Sequence, residues 1–176
     1  MSLLDLLNFD LPESTTRRYF IAVVDILTRL HFNGVYHGDI KLENILVSDV
    51  DGTCTLTDFE FSDHFRSDKL RVTRQGSLHY AAPEIMSSTL HVGWEPDIWA
   101  LGIILYALLT GYFPFGGNSM DEVRREQIKY CNGEPLIFPA DVSQDARELV
   151  RILLTPNHQD RPRADQIMEH TWCSQL

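Results

Sequence analysis

A chain of 176 residues with 44% hydrophobic content holds enough apolar material for one domain, 1–176, with its own core. Its formal net charge of −10 argues against a nucleic-acid backbone or an anionic membrane as the main partner. Cys54, Cys131 and Cys173 are odd in number and lack CxxC spacing, so they read as core thiols in a reduced intracellular compartment, cytoplasmic or nuclear, rather than as metal ligands.

Met1-Ser2-Leu3-Leu4-Asp5 has no basic region ahead of an apolar run, so no secretory leader is expected. Residues 2 to 8 predict a short helix with Leu3, Leu4, Leu6 and Leu7 on its apolar side. Pro12-Glu13-Ser14 is a helix start. Phe20, Val23, Val24, Leu27 and Leu30 then recur at helical spacing, predicting a long helix over 14 to 32 that Gly34 ends. Ile45 to Val47 reads as a strand, Asp51-Gly52 as a tight turn and Thr53 to Thr57 as the return strand, which brings Asp58 back beside Asn44. From Asp58 to Glu84 the chain is polar and interrupted, with Lys69, Arg71 and Arg74, and loops of that length inside a domain are usually functional. Glu95-Pro96-Asp97 opens a buried helix over 97 to 110, whose apolar run Ile98 to Leu109 is too short to span a bilayer, and Gly111 closes it. Three more helices are expected over Ser119 to Tyr130, Ser143 to Leu153 and Arg163 to His170, with Ser119 and Ser143 as N-caps. Pro135, Pro139, Pro156 and Pro162 punctuate the loops between them.

The chemistry concentrates in His37-Gly38-Asp39-Ile40-Lys41-Leu42-Glu43-Asn44 and in Asp58-Phe59-Glu60. Asn44 and Asp58 are hard oxygen ligands of the kind Mg²⁺ takes when phosphates hold it as well. Lys41 can neutralise a phosphate oxygen as charge moves in a transfer step. Asp39 is left to accept a hydroxyl proton or orient a nucleophile. Each residue alone is bland; the spaced set, divided by a hairpin, is not.

At these residues the chain resembles a eukaryotic Ser/Thr protein kinase, whose pattern is H-R-D-x-x-x-x-N, then D-F-G, then A-P-E. Here the three read His37-Gly38-Asp39 with Asn44, Asp58-Phe59-Glu60 and Ala82-Pro83-Glu84. Asp97-Ile98-Trp99-Ala100-Leu101-Gly102 matches a further D-x-W-x-x-G, and the whole half resembles most the calcium/calmodulin-dependent and AMP-activated kinase group. The resemblance implies a mainly α fold, the C-terminal lobe of a kinase with a small β-hairpin at the catalytic loop and no N-terminal β lobe. It implies transfer of the ATP γ-phosphate, with Mg²⁺, to Ser or Thr of a protein substrate. Asp39 would be the base, Lys41 the phosphate stabiliser, and Asn44 and Asp58 the metal ligands. Leu46 would floor the nucleotide site, beside Glu43. Glu43 also sits where some relatives hold a basic residue upstream of the acceptor, although Ala107 stands at their second acidic position. His37 and Phe59 would pack in an internal hydrophobic column. Ser77 would bond Asp39 and Lys41, Asp97 would hold backbone N–H groups of the catalytic loop, and Arg161 would pair with Glu84. Residues 58–84 would form the activation segment, with Thr73 where related kinases carry an activating phosphate.

Two departures stand out: Gly38 replaces the Arg of the pattern and Glu60 the Gly. No G-x-G-x-x-G loop and no V-A-I-K lysine precede His37. The expectation is a truncated kinase domain, inactive as these residues alone, with a non-catalytic pseudokinase scaffold as the alternative.

Overall fold

The long helix forms where the apolar spacing marks it. In the computed structural model, which describes residues 1–8, 11–48, 50–64, 77–87 and 93–174, α1 spans Glu13–Phe32. Glu13 lies in the first turn and Arg29 and His31 in the last, both in accord with the helix dipole. Phe20, Val23, Val24 and Leu27 are buried. Gly34, at φ +73°, reverses the chain, and its N–H donates to the His31 carbonyl at 3.0 Å.

The short strands follow. β1, Val35–Tyr36, pairs antiparallel with β4, Asp63–His64. β2, Ile45–Val47, pairs antiparallel with β3, Cys54–Leu56, in the register Ile45↔Leu56 and Val47↔Cys54. Gly52, at φ +70°, makes the turn between β2 and β3, and Asp51 steadies it by accepting from the Thr53 N–H at 3.1 Å. The N-terminus lies along the free edge of β2: Val47 N donates to Met1 O at 2.7 Å and Leu3 N to Ile45 O at 2.8 Å. The helix expected over 2 to 8 is a 3-10 turn over Leu4–Asn8, because Ser2–Leu3 is extended along β2 and the Asp5 carboxylate ties back to Ser2.

α3, Glu95–Thr110, is the centre of the molecule, with every residue from Asp97 to Leu108 buried. A helix apolar on all sides is a core helix. It begins at Glu95 rather than Asp97, since Pro96 fits the first turn, where its missing N–H is no loss. Gly102 allows α5, Gln144–Leu153, to lie against it: a Cβ there would fall 2.8 Å from Leu154 Cδ2 and 2.9 Å from Leu153 Cβ. α2 is a single turn, Pro83–Met86, and α4 spans Met120–Cys131. Ser119 and Ser143 cap α4 and α5 by accepting from the N–H groups of Glu122 and Ala146. The helix expected over Arg163 to His170 is instead divided into α6, Ala164–Ile167, and α7, Thr171–Ser174. Tight bonds from Glu169 N to Gln166 O and His170 N to Ile167 O turn the chain, and Trp172 then buries against Phe20 with ring centroids 5.6 Å apart.

Glu13 ties the first helix to the last two. Its carboxylate accepts from Ser143 N at 2.9 Å, Ser143 Oγ at 2.7 Å and Trp172 Nε1 at 2.7 Å. Burial alone would raise its pKa, but these bonds and Arg17 outweigh burial and hold the carboxyl below its ordinary range.

Candidate active site

The loop after β1 is shaped by one buried carboxylate. Asp97, in the first turn of α3, accepts from His37 N at 2.8 Å through Oδ2 and from Gly38 N at 2.9 Å through Oδ1. Its Oδ2 also lies 3.0 Å from His31 Nε2. Gly38 adopts φ +81°, and a Cβ on it would lie 2.7 Å from the Phe61 carbonyl oxygen. Only glycine takes that conformation and that approach without strain.

His37 is fully buried. Its Nε2 faces the Thr57 carbonyl at 3.0 Å and its Nδ1 faces the Asp39 N–H at 3.3 Å. One partner is an acceptor and the other a donor, so the ring carries its proton on Nε2. Asp39 is thereby held at the root of the loop, 5% exposed. Lys41 Nζ donates to Asp39 Oδ2 at 2.5 Å and to Ser77 Oγ at 3.3 Å, while Ser77 Oγ donates to Asp39 Oδ1 at 3.0 Å. Acid, ammonium and hydroxyl thus form one closed triangle across two segments.

The 3-10 turn Leu42–Asn44 places Asn44 beneath this triangle. Its amide nitrogen donates to Asp39 O at 3.0 Å and to Asp39 Oδ2 at 3.4 Å. Both partners are acceptors, so the assignment of the amide is forced and its oxygen turns away from Asp39. The β2–β3 hairpin brings Thr57 back, where its N–H and Oγ both donate to Asn44 O, at 2.9 and 3.1 Å. Asp58 follows Thr57 directly, with an exposed side chain and φ +64°. Few non-glycine residues adopt that region, and Asp is among those that tolerate it; such strain persists where the surroundings impose it. Among the described residues Asp58 has no hydrogen-bond or ion-pair partner. Leu46, on the outer face of β2, is 41% exposed beside them.

The remaining expected residues divide. Glu84 and Arg161 meet in a buried bidentate pair, Nη1–Oε1 at 2.6 Å and Nη2–Oε2 at 2.8 Å. Glu43 is exposed and accepts from the Tyr80 hydroxyl at 2.9 Å. Phe59 packs one edge against His37, with ring centroids 4.8 Å apart, and is 44% exposed on its other side. Thr73, with Lys69, Arg71 and Arg74, lies outside the described residues.

Sequence reasoning missed two residues that position the site. Tyr80, buried, reaches across to accept from Leu42 N at 3.3 Å while donating to Glu43; burial, then the Glu43 carboxylate, pushes its phenol well above the ordinary range, so it stays a donor. Gln127 on α4, 2% exposed, donates to the Ala81 carbonyl at 2.8 Å and fixes the segment after Ser77. A polar residue at a buried position of an otherwise amphipathic helix was the available signal for Gln127.

The arrangement sets a buried carboxylate, an ammonium and a hydroxyl together, with the Asn44 amide below them and the exposed Asp58 carboxylate at the end of the hairpin. The model of the protein kinase domain matches residues 1–173, and the chain belongs to that family. It is 37% identical over 168 residues to CBL-interacting serine/threonine-protein kinase 1 of Arabidopsis thaliana, covering 94% of this chain and 37% of that protein. It is 36% identical to serine/threonine-protein kinase KIN4 of Saccharomyces cerevisiae, covering 92% of this chain and 21% of that protein. CBL-interacting protein kinase 20 of Oryza sativa is 38% identical, with 92% of this chain and 35% of that protein covered. The chain therefore spans about a third or less of the length of these relatives. Those relatives bear the names of protein kinases. Among the described residues no helix is long and apolar enough to cross a membrane.

Proposed function

We propose that this chain is the C-terminal, substrate-facing lobe of a Ser/Thr protein kinase, acting on Ser or Thr hydroxyls of protein substrates with ATP and Mg²⁺. The observation that carries this reading is the closed triangle of Asp39, Lys41 and Ser77 above Asn44. The donor set fits the nucleotide and its metal. Asn44 spends its amide nitrogen on Asp39, which leaves a hard oxygen, and Asp58 adds a carboxylate with no protein partner among the described residues. Asn44 and Asp58 would hold Mg²⁺, which when bound would supply positive charge to the phosphates. Asp39 orients the acceptor hydroxyl and takes its proton at a carboxylate oxygen. Lys41, already paired to Asp39, supplies the positive charge nearest that oxygen. Ser77 locks the segment that carries it against the catalytic loop, and Asp97 fixes the loop backbone through two N–H groups.

Positioning and charge stabilisation make up most of such catalysis. Among the described residues nothing covers phosphates from the side opposite β2 and β3, and the loss of a single preorganised charge partner costs about 10²–10³ in rate. These 176 residues alone are therefore expected to show negligible transfer. The test is a chimera that places the first lobe of the Arabidopsis relative ahead of residue 1. Peptide phosphorylation abolished by Asp39→Asn supports the reading. A chimera that unfolds cooperatively and binds Mg·ATP, yet transfers nothing, refutes it.

Regulation by phosphate on Thr73 is not expected, because Gly38 offers no guanidinium to receive it and the Ser77 triangle closes without it. A sharply higher rate for Thr73→Glu in the chimera would contradict this. The second reading, a non-catalytic scaffold, is favoured by Gly38 and by Glu60, which is exposed close after Asp58. Under that reading Asp39→Asn changes no measurable activity.

A further inference from the structure

A cavity of about 170 Å³ opens behind the catalytic loop, between the last turn of α1, the residue ahead of α3 and the start of α6. His31, Phe32, Trp94, Arg163 and Asp165 line it. None of these residues takes part in the triangle around Asp39. One of them is nevertheless only two hydrogen bonds from the loop: His31 Nε2 lies 3.0 Å from Asp97 Oδ2, and the same carboxylate holds the N–H groups of His37 and Gly38. The link is dry, with the His31 side chain 10% and the Asp97 side chain 1% exposed.

The walls specify what the cavity would hold. Trp94 stands 6.4 Å from the His31 ring, and Phe32 is 85% exposed, an aromatic side chain left open at the mouth. The volume suits one flat ring, since an apolar cavity of about 150 Å³ accepts benzene. The guanidinium in the lining suits an anion. Arg163 is the one lining side chain that carries a fixed positive charge, and Asp165 is the one acid. Asp97, the other acid near His31, is buried and already committed to the loop. The Arg163–Asp165 contact, 3.2 Å long, joins side chains 65% and 54% exposed. An exposed pair of this kind contributes little, so a ligand carboxylate can replace Asp165 on the guanidinium in bidentate geometry.

We propose that this cavity is an effector site for a small aromatic carboxylate. The ring lies against Trp94 and Phe32, the carboxylate sits on Arg163, and occupancy is transmitted to the catalytic loop through His31 and Asp97. The regulatory half of this inference rests on the kinase reading above, but its signature is structural and does not require activity.

The experiment is a titration of the ¹⁵N-labelled chain with benzoate, followed by the Trp94 indole N–H and the Gly38 amide. The expected result is a saturable shift of both with one apparent Kd, and no shift with benzylamine. Arg163→Ala, at an exposed position where folding is not at stake, should weaken benzoate by about tenfold, the loss of one charge-assisted pair. His31→Asn should keep the Trp94 shift and lose that of Gly38. Absence of a saturable Trp94 shift up to about 50 mM, the weak end for so few heavy atoms, overturns the site. So does equal binding of benzylamine, or indifference to Arg163→Ala. Saturation at Trp94 with a silent Gly38 amide overturns the coupling. A chain that transfers no phosphate would still give or withhold these shifts, so the two readings fail separately.

Discussion

Arg161→Ala should be the most damaging single substitution away from the catalytic triangle. All the donor directions of this guanidinium are used. Nε donates to Thr155 O at 2.9 Å, Nη1 to Glu84 Oε1 at 2.6 Å and Glu95 O at 3.0 Å, and Nη2 to Glu84 Oε2 at 2.8 Å and Pro156 O at 3.3 Å. The plane rests 4.9 Å from the centre of the Trp99 ring, with both Arg161 and Glu84 side chains almost wholly buried. Removing the cation strands the Glu84 carboxylate in the core, which costs about 3–5 kcal/mol. The freed backbone carbonyls add to this, each by about 1 kcal/mol or less once water enters the space. A total near 4 kcal/mol is a large share of the roughly 5–15 kcal/mol that holds a domain folded, and at about 2–4 °C per kcal/mol it lowers Tm by about 10 °C. Equilibrium urea unfolding, followed by tryptophan fluorescence, measures it, with Trp99 as the local reporter. Arg161→Lys keeps a charge but not the planar fork, and should recover about half of the loss. Arg161→Met with Glu84→Met removes both charges of this pair together and should be more stable than Arg161→Ala. A loss below about 1 kcal/mol for Arg161→Ala, or strict additivity of the two Met substitutions, would show that the pair does not tie the segment after Ser77 to the last helices.

The parts of this structure that were legible in the sequence are those whose cause is local. The hairpin follows from Asp51-Gly52, because Gly52 needs positive φ and the Asp51 carboxylate bonds Thr53 two residues on. α1, α4 and α5 follow from apolar spacing and, for the last two, from serine caps. What could not be read depends on groups distant in the chain. β1 and β4 are two-residue strands, too short to show alternation, and they exist only because each supplies the other's partner. The break between α6 and α7 is set by Trp172 reaching Phe20 and Glu13 at the other end of the chain. At the site, the residue types and spacing pointed to the chemistry, but not to the conformation that Gly38 requires, which is visible only once Phe61 O lies against it. Nor could they reveal that Tyr80 occupies Glu43, a contact between residues 37 positions apart.

Gly38→Ala should lower stability by about 2–3 kcal/mol, combining the left-handed penalty with the close approach to Phe61 O, and thermal unfolding should show Gly38→Arg no better, since the fault lies at Cβ. Gly102→Ala forces a methyl into Leu153 and Leu154 and should cost about 1–3 kcal/mol, read as a lower urea midpoint at unchanged m; a neutral result would mean α3 and α5 lie further apart than described. Glu13 predicts a pH dependence whose sign is fixed by the direction of its shift. Its folded pKa lies below the ordinary value of a glutamate, so folding favours the ionised form, and the stabilisation is complete above that ordinary value and is lost as pH falls through the lower, folded pKa. Unfolding free energies measured from pH 7 down to pH 3 should fall more steeply for the native chain than for Glu13→Gln, whose amide oxygen can still accept from Ser143 Oγ and Trp172 Nε1 but which has no charge to lose. Parallel curves would mean that Ser143 and Trp172 hold a carboxyl whose ionisation makes no difference to the fold.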